Sequence, residues 1–156
     1  MSFPRYPEYK DSGVEWLGEV PVHWLLSRLK FDFSINARVG WHGLTSDEFT
    51  TEGPYLVTGS DFRGRTVDWN KCYRCTPDRY EQDKNIQLQE GDLLITKDGT
   101  IGKLMLIKDL PGKATLNSGI FVVRPFSQNY LTRFYYWMLQ SPIFLSLFDS
   151  TRLEAP

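Results

Sequence analysis

The chain has 156 residues and a formal net charge of −1, with 18 lysines and arginines against 19 aspartates and glutamates. This balance argues against a protein that coats nucleic acid regardless of sequence. A composition that is 41% hydrophobic and 15% aromatic predicts a folded chain. No apolar run approaches the ~20 residues that a membrane-spanning helix needs, and the N-terminus lacks a signal-peptide core, so we expect a cytoplasmic protein with no membrane partner.

The first 25 positions place isolated apolar side chains between turn-forming residues, and Trp16 and Trp24 are the largest of them. This pattern predicts an irregular N-terminal arm that its tryptophans hold to the body. Residues 24–33 fit a strand or a short helix equally well. Residues 35–43, INARVGWHG, have the glycines of a loop. The side chains that this loop would expose are Arg38, Trp41 and His42.

The next segments predict strands separated by polar loops. Residues 55–59 (YLVTG), 66–69 (TVDW) and 86–88 (IQL) have the apolar and β-branched content of strands. Residues 63–79 hold five basic and two acidic side chains, a local charge of +3. A phosphate-facing edge and an ordinary solvated loop would both explain that charge. The polar candidates of this region are Ser60, Asp61, Arg63, Arg65, Lys71 and Arg74.

Cys72 and Cys75 form a C-x-x-C pair. A structural zinc site needs four ligands, and the other soft candidates, His23 and His42, lie far upstream. A redox pair of the thioredoxin type would need a following helix, whereas residues 76–78 are Thr-Pro-Asp. We therefore expect two reduced packing residues, with no metal and no cofactor.

Residues 91–103, GDLLITKDGTIGK, have glycines and a Gly-Lys pair like those of a phosphate-binding loop. A P-loop needs four residues between its first glycine and Gly-Lys, and then Ser or Thr. Here only two residues separate Gly99 from Gly102, and Leu104 follows the lysine. Asp-Gly is instead the chemistry of a tight hairpin turn. We predict a β-hairpin over residues 92–110 with Lys97, Asp98 and Lys103 at its tip.

The C-terminal third predicts a strand followed by helices. Residues 119–125, GIFVVRP, are typical of a buried strand that ends at proline. Leu131, Phe134, Tyr135 and Met138 recur at helical spacing. Ser141-Pro142 predicts the start of a second helix, which would carry Ile143, Phe144, Leu147 and Phe148. The whole pattern predicts an α+β fold: a mostly antiparallel or mixed twisted β-sheet with an N-terminal irregular arm and a short C-terminal helical pair.

No residue pattern predicts catalysis. Neither His23 nor His42 lies near a serine or cysteine in a nucleophile motif, and G-x-S-x-G is absent. The acidic pair Asp47-Glu48 has no apolar surroundings that would make it an acid–base pair. The nuclease-like match at residues 8–10, Glu-Tyr-Lys, has no acidic residue before it. We therefore expect a protein that is not an enzyme.

Four segments, in this order, closely resemble the specificity subunits of type I restriction–modification systems. Residues 7–24, PEYKDSGVEWLGEVPVHW, resemble the start of such a subunit. The other three resemble segments of the family's target recognition domains: GDLLITKDGTIGK (91–103), LNSGIFVVRP (116–125) and LTRFYYWMLQSP (131–142). Together the four cover residues 7–142.

The resemblance implies a domain that reads one half of a split double-stranded DNA target. In this family the specificity subunit does no chemistry itself. It directs methyltransferase (M) subunits, which use S-adenosylmethionine to methylate adenine, and restriction (R) subunits. We expect residues 1–156 to be a single target recognition domain, a fragment or a natural truncation without the second recognition domain and the long conserved helices of a full subunit.

Reading DNA requires paired donors or acceptors for base edges, and cations or hydroxyls for phosphates. As a hypothesis we assign the 38–42 and 60–65 loops to base readout, and Lys97 and Lys103 to phosphate. The full set of candidates is Arg38, Trp41, His42, Ser60, Asp61, Arg63, Arg65, Lys71, Arg74, Lys97, Asp98 and Lys103.

Alternatives to this hypothesis stay open. The KDGTIGK segment could recur only because its turn needs glycine, and Trp41 could be a packed loop anchor. The chain as a whole could instead be a protein–protein interaction module, such as a mimic that binds a methyltransferase subunit without reading DNA.

Overall fold

The computed structural model describes residues 5–127, 130–142 and 144–146. It has the predicted α+β architecture of mostly antiparallel sheets with short helices. The strands are β1 (Tyr9–Asp11), β2 (Glu19–Pro21), β3 (Phe33–Ala37), β4 (Thr50–Val57), β5 (Phe62–Arg63), β6 (Thr66–Val67), β7 (Tyr73–Arg74), β8 (Leu93–Thr96), β9 (Leu104–Leu106), β10 (Ala114–Leu116) and β11 (Ile120–Pro125). The α-helices are α1 (Leu29–Asp32), α2 (Pro77–Glu81) and α3 (Thr132–Met138). No helix within the described ranges is long and apolar enough to cross a membrane.

The largest sheet is antiparallel, with the strand order β3-β11-β8-β9. The predicted hairpin over residues 92–110 and the predicted strand over 119–125 are therefore confirmed. β8 is buried on both faces, since Leu94 packs into one hydrophobic cluster and Leu93 into another. A strand buried on both faces has a continuous apolar run instead of an alternating one, which explains the sequence DLLI.

The two faces of this sheet are covered by different elements. On one face, Leu94 and Met105 share a core with Val57 of the second sheet, whose strand order is β10-β4-β7. On the other face, Tyr136 and Leu139 of the α3 region cover the hairpin. Each fully buried side chain of this kind contributes about 1.5–3 kcal/mol, so burial from both sides fixes the β8–β9 hairpin in place.

The helix predicted near residues 131–138 is confirmed as α3, and two of its four predicted apolar residues, Tyr135 and Met138, pack against the core. The other two, Leu131 and Phe134, are 71% and 50% exposed, whereas Tyr136 and Leu139 are buried. Apolar and aromatic side chains lie on several sides of this segment, so its periodicity identified the buried face only in part. Beyond α3, the Ser141 hydroxyl accepts a hydrogen bond from the Phe144 N–H at 3.3 Å, as a helix cap would. The other predicted apolar residues of the second helix, Ile143, Leu147 and Phe148, lie outside the described residues.

The N-terminal arm is more regular than predicted, because β1 and β2 pair as a short antiparallel sheet. Trp24 contacts the body through an edge-to-face arrangement with Phe134, with ring centroids 6.5 Å apart. Trp16 is half-exposed. Of the two tryptophans, Trp24 therefore makes the contact between the arm and α3.

Three further segments differ from the sequence predictions. The predicted loop at residues 35–43 begins inside β3. The predicted strand at 86–88 is not one of the named strands, and its first residue instead ends a 3-10 turn, Lys84–Ile86. The helix α2 follows the cysteine pair directly, where no helix was predicted. Its start has an ordinary signature, since the Thr76 hydroxyl accepts a hydrogen bond from the Arg79 N–H and Pro77 occupies the first turn.

Candidate functional site

The tip of the β8–β9 hairpin is organised by one buried hydroxyl. Thr96 donates a hydrogen bond to the Thr100 carbonyl at 2.5 Å and accepts one from the Lys103 N–H at 2.9 Å. Gly99 and Gly102 have φ values of +65° and +84°, which is the left-handed region that glycine adopts without strain. The predicted glycine turn is thus present, and the Thr96 hydroxyl holds the backbone of residues 100 and 103.

The β11 side of the sheet supports the same tip. The Lys97 N–H donates to the Gly119 carbonyl at 2.8 Å. A Cβ placed on Gly119 would lie 3.1 Å from Asp98 Oδ2, and the φ of Gly119 is +91°. Glycine is favoured at residue 119 because of this positive φ, and a side chain there would also crowd the Asp98 carboxylate.

The segment between β4 and β5 is held by a second local network. Asp61 is buried, and its Oδ2 accepts hydrogen bonds from the Thr58 N–H at 2.7 Å and the Thr58 hydroxyl at 2.9 Å. Because Asp61 is buried and its Oδ2 is engaged by Thr58, the side chain shapes the turn and is not exposed to a ligand. Ser60 lies on the exposed side of the turn, with its hydroxyl 2.7 Å from the Thr58 hydroxyl.

These two segments, which are far apart in sequence, form the walls of one cleft of about 310 Å³. Three candidates, Ser60, Asp98 and Lys103, come together there. The full lining is Gly59, Ser60, Thr96, Asp98, Gly99, Thr100, Lys103 and Gly119. Hydroxyls, a carboxylate and an ammonium group at one concave surface can bind both a phosphate and the polar edge of a base.

Other candidate cations lie in the same loop and tip. Arg63 and Lys71 approach the same Asp68 carboxylate, at 3.9 and 4.0 Å, distances at which exposed ion pairs contribute little. The Lys97 ammonium lies 5.4 Å from the centroid of the Phe121 ring. Arg65 lies against the ring of Trp137. All four cations therefore stay at or near the surface.

Arg38 was predicted to read bases, and the structure corrects this prediction. Arg38 is 2% exposed, and its Nε donates to the Leu116 carbonyl at 2.8 Å. Its other nitrogens donate to Gln82, to the Arg79 carbonyl and to the Thr115 hydroxyl. Burial lowers the pKa of the Arg38 guanidinium, and the neighbouring Arg79 charge lowers it further. Arg38 ties the β10 backbone to α2, and its burial leaves it out of reach of DNA.

Two of the remaining candidates, His42 and Arg74, do not line the cleft. His42 lies in the 3-10 turn Gly40–His42, and its carbonyl accepts from Arg79 Nη2 at 3.3 Å. The side chain of Trp41 lies outside what the structure describes. Arg74 donates to the Gly53 carbonyl at 2.9 Å and lies 3.4 Å from the centroid of the Tyr55 ring.

Both cysteines lie in hydrophobic clusters, Cys72 in the one between the sheets and Cys75 in another with Leu56. Burial, followed by the nearby Asp61 charge, raises the pKa of Cys72 to about 12, and burial also raises the pKa of Cys75. Thiols with raised pKa values are poor nucleophiles and poor metal ligands. In the described part of the chain, no group of three or more His, Cys, Asp or Glu side chains is placed to hold a metal ion.

Several residues that shape the site were missed by sequence reasoning. Thr96 looks like an ordinary strand residue, and Trp137 looks like part of an apolar helix. Gly119 could have been noticed, since a glycine directly before a β-branched strand signals a special backbone conformation or a close approach.

The chain is thus an α+β protein with a polar, partly basic cleft. The cleft lies between the turn that follows β4 and the tip of the β8–β9 hairpin. No protein-family model and no curated protein matches the sequence. Among solved structures, the chain is similar to the HsdS subunit from Thermoanaerobacter tengcongensis, with a TM-score of 0.58 and 16% identity over 83% of this chain and 29% of that one. It is also similar to a chain solved in a study of complex assembly and conformational transition of the type I R-M system, with a TM-score of 0.57 and 16% identity over 83% of this chain and 30% of that one. The chain therefore shares the fold of part of an HsdS subunit and spans less than a third of the length of the chains it matches.

Proposed function

We propose that this chain is a target recognition domain of a type I restriction–modification specificity subunit, which reads one half of a bipartite DNA target. The observation that carries the proposal is the convergence of the 59–65 turn and the 97–103 tip on one cleft. Both segments hold candidate DNA contacts, and the fold that brings them together is shared with HsdS subunits.

The proposed DNA contacts are assigned to side chains whose polar groups are not fully used within the chain. Arg63 and Arg65 are exposed in the β5–β6 hairpin, which follows the turn that lines the cleft, and are assigned to base edges, since arginine pairs with guanine. Lys97 and Lys103 are assigned to phosphates, with Ser60 and Lys71 at the flanks. Arg38 and Asp61 are left out because their polar groups are used internally.

The chain's role would be to supply sequence preference. In this proposal, M and R subunits carry the chemistry, and this chain neither cleaves nor methylates DNA and holds no cofactor. The work of such a complex on cellular or incoming DNA places the chain in the cytoplasm. The near-neutral net charge predicts weak DNA affinity for the chain by itself, with M subunits adding phosphate contacts of their own.

The test is a binding selection of the purified chain from a random duplex pool at low salt, followed by sequencing. We expect enrichment of one short motif, and a relaxed preference with retained folding in the Arg63→Ala/Arg65→Ala double variant. Retention of DNA without an enriched motif would contradict sequence reading and leave only phosphate contacts.

A second candidate function is a protein–protein interaction module. The observation that favours it is a set of exposed apolar side chains near the arm and α3: Trp24, Leu25, Leu26, Leu29, Phe31, Leu131 and Phe134. Exposed apolar patches of this kind mark protein contacts. This candidate predicts capture of a methyltransferase subunit and no salt-dependent DNA binding, so the same selection separates the two functions.

A further inference from the structure

The arginine at the turn of the β5–β6 hairpin contacts a tryptophan on α3. The Arg65 guanidinium carbon lies 4.7 Å from the centroid of the Trp137 ring, within the range of a cation–π interaction. Trp137 is half-exposed, while its helical neighbour Tyr136 is buried in the core. The core therefore anchors α3 through Tyr136, and Trp137 is available at the surface.

Arg65 also keeps its hydrogen-bond donors free. Within the described ranges, its guanidinium forms no hydrogen bond and no ion pair. By contrast, Arg38, Arg74, Arg79 and Arg124 each donate a hydrogen bond or form a close ion pair within the chain. Bidentate recognition of a guanine edge requires a flat guanidinium with free N–H groups.

The backbone restricts Arg65 further. Arg63 pairs with Thr66 across the hairpin, so Gly64 and Arg65 form a two-residue loop. Gly64 has a φ of +57°, and Arg65 is not among the non-glycine residues with positive φ, which is the type II′ arrangement. This tight turn fixes the Arg65 backbone, and the indole restrains the other end of the side chain.

We propose that Arg65 reads a guanine of the half-site and that Trp137 is a positioning residue that holds the Arg65 guanidinium in place for it. The inference rests on the proposed DNA-reading function and deepens it. A guanidinium that is already restrained loses less conformational freedom on binding. The stack therefore raises discrimination at one base pair and leaves the rest of the half-site unchanged.

A purely structural role would have different consequences. β6 and α3 both contact β9, the edge strand of the large sheet. In a purely structural role, the Arg65–Trp137 pair would do no more than hold the β5–β6 hairpin against α3 around that edge. In that case, loss of either side chain would lower stability and would weaken binding to all sequences alike.

The experiment measures dissociation constants of the full chain for the motif enriched by selection and for duplexes that change one base pair at a time. The variants are Arg65→Ala, Arg65→Lys, Trp137→Leu, Trp137→Phe and the Arg65→Ala/Trp137→Leu double variant, each checked by thermal unfolding. Trp137→Phe retains an aromatic ring and keeps the test available if Trp137→Leu fails to fold.

We expect the wild-type chain to discriminate about tenfold for guanine at one position. Arg65→Ala, Trp137→Leu and the double variant should all lose this discrimination to the same extent, because both residues act on one contact. The discrimination of Trp137→Phe should lie between that of the wild type and that of Trp137→Leu, since phenylalanine attracts cations less than tryptophan does. Arg65→Lys should keep affinity for unrelated DNA but lose part of the discrimination, because an ammonium group lacks the planar, fixed pair of donors that matches the guanine edge.

Three outcomes would overturn the inference. A folded Trp137→Leu or Trp137→Phe chain that discriminates as the wild type does would remove the positioning role alone. Arg65→Ala with full discrimination would leave Arg65 at most a phosphate contact, and an affected position that is not guanine would overturn its assignment to guanine. A wild-type chain that enriches no motif would overturn the proposed function, and the inference with it.

Discussion

Arg38 and Arg63 show how two arginines with similar sequence surroundings take opposite roles. Arg38 is 2% exposed and donates to the Leu116 carbonyl, whereas the Arg63 side chain is 63% exposed. Replacing Arg38 with methionine removes the donor and leaves buried acceptors unpaired. We expect Arg38→Met to lower the free energy of unfolding by about 2–4 kcal/mol in urea denaturation. Arg63→Met is the matched control and should change it by less than ~0.5 kcal/mol; equal losses would contradict the internal role of Arg38.

The raised pKa of Cys72 predicts that the folded chain loses stability at alkaline pH. Its pKa is raised to about 12 in the folded chain from an ordinary value of 9.0, because burial disfavours the thiolate. The stabilising contribution is fully present below pH 9 and is lost as the pH rises towards 12, since only the unfolded chain ionises in that window. For Cys72 alone, the slope should approach about 1 kcal/mol per pH unit.

Cys72→Ala isolates this effect from lysines and tyrosines that titrate in the same range. The variant should be less stable than the wild type at pH 8, because a small cavity replaces the sulfur. Its free energy of unfolding should then fall less steeply between pH 9 and 11. Parallel curves for the two chains would show that the Cys72 thiol titrates equally in the folded and unfolded states.

At the scale of an element, the β8–β9 hairpin depends on Thr96. Thr96→Val keeps the shape of the side chain but leaves the Thr100 carbonyl and the Lys103 N–H without their partner. We expect a loss of about 1–2 kcal/mol in unfolding and faster hydrogen exchange at the Lys103 amide. DNA affinity should fall several-fold, because the tip that carries Lys103 is no longer fixed. Thr96→Ser keeps the hydroxyl and should retain slow exchange at this amide; fast exchange in both variants would contradict the role of the hydroxyl.

The elements that could be predicted from sequence are those whose signals are local. The β8–β9 hairpin combines apolar runs with Asp98-Gly99, and α2 has a Thr-Pro start that could have been recognised. β10 could not be predicted, because its parallel pairing with β4 joins segments far apart in the chain. The buried face of α3 could be predicted only in part, because apolar and aromatic side chains lie on several sides of that segment.

The features of the candidate site divide in the same way, into those with a local sequence signal and those that depend on distant partners. Glycine and turn chemistry identify the tip and the 60–65 loop as exposed segments, and Ser60, Asp98 and Lys103 do line one cleft. Whether an arginine is free or used internally depends on distant partners, such as the Leu116 carbonyl for Arg38. The partner of Arg65 on α3 is equally distant in sequence and has no local signal.

At the scale of the whole molecule, the net charge of −1 means that DNA binding has to come from a local group of cations. The proposed interface has Arg63 and Arg65 at base edges, and Lys71, Lys97 and Lys103 at phosphates. Release of counterions by about three phosphate contacts predicts that log Kobs falls with log salt concentration with a slope of about −3.

Lys103→Gln tests this charge distribution, because Lys103 lines the cleft and is assigned to a phosphate. We expect the variant to bind all sequences more weakly by a similar factor and to reduce the steepness of the salt dependence by about one. Its sequence preference should stay that of the wild type. Lys113→Gln is the matched control, since Lys113 has a 67% exposed side chain beside Glu81 and does not line the cleft. If Lys113→Gln changed the slope as much as Lys103→Gln, DNA attraction would come from the whole surface, and the cleft would not be the site that holds the phosphate backbone.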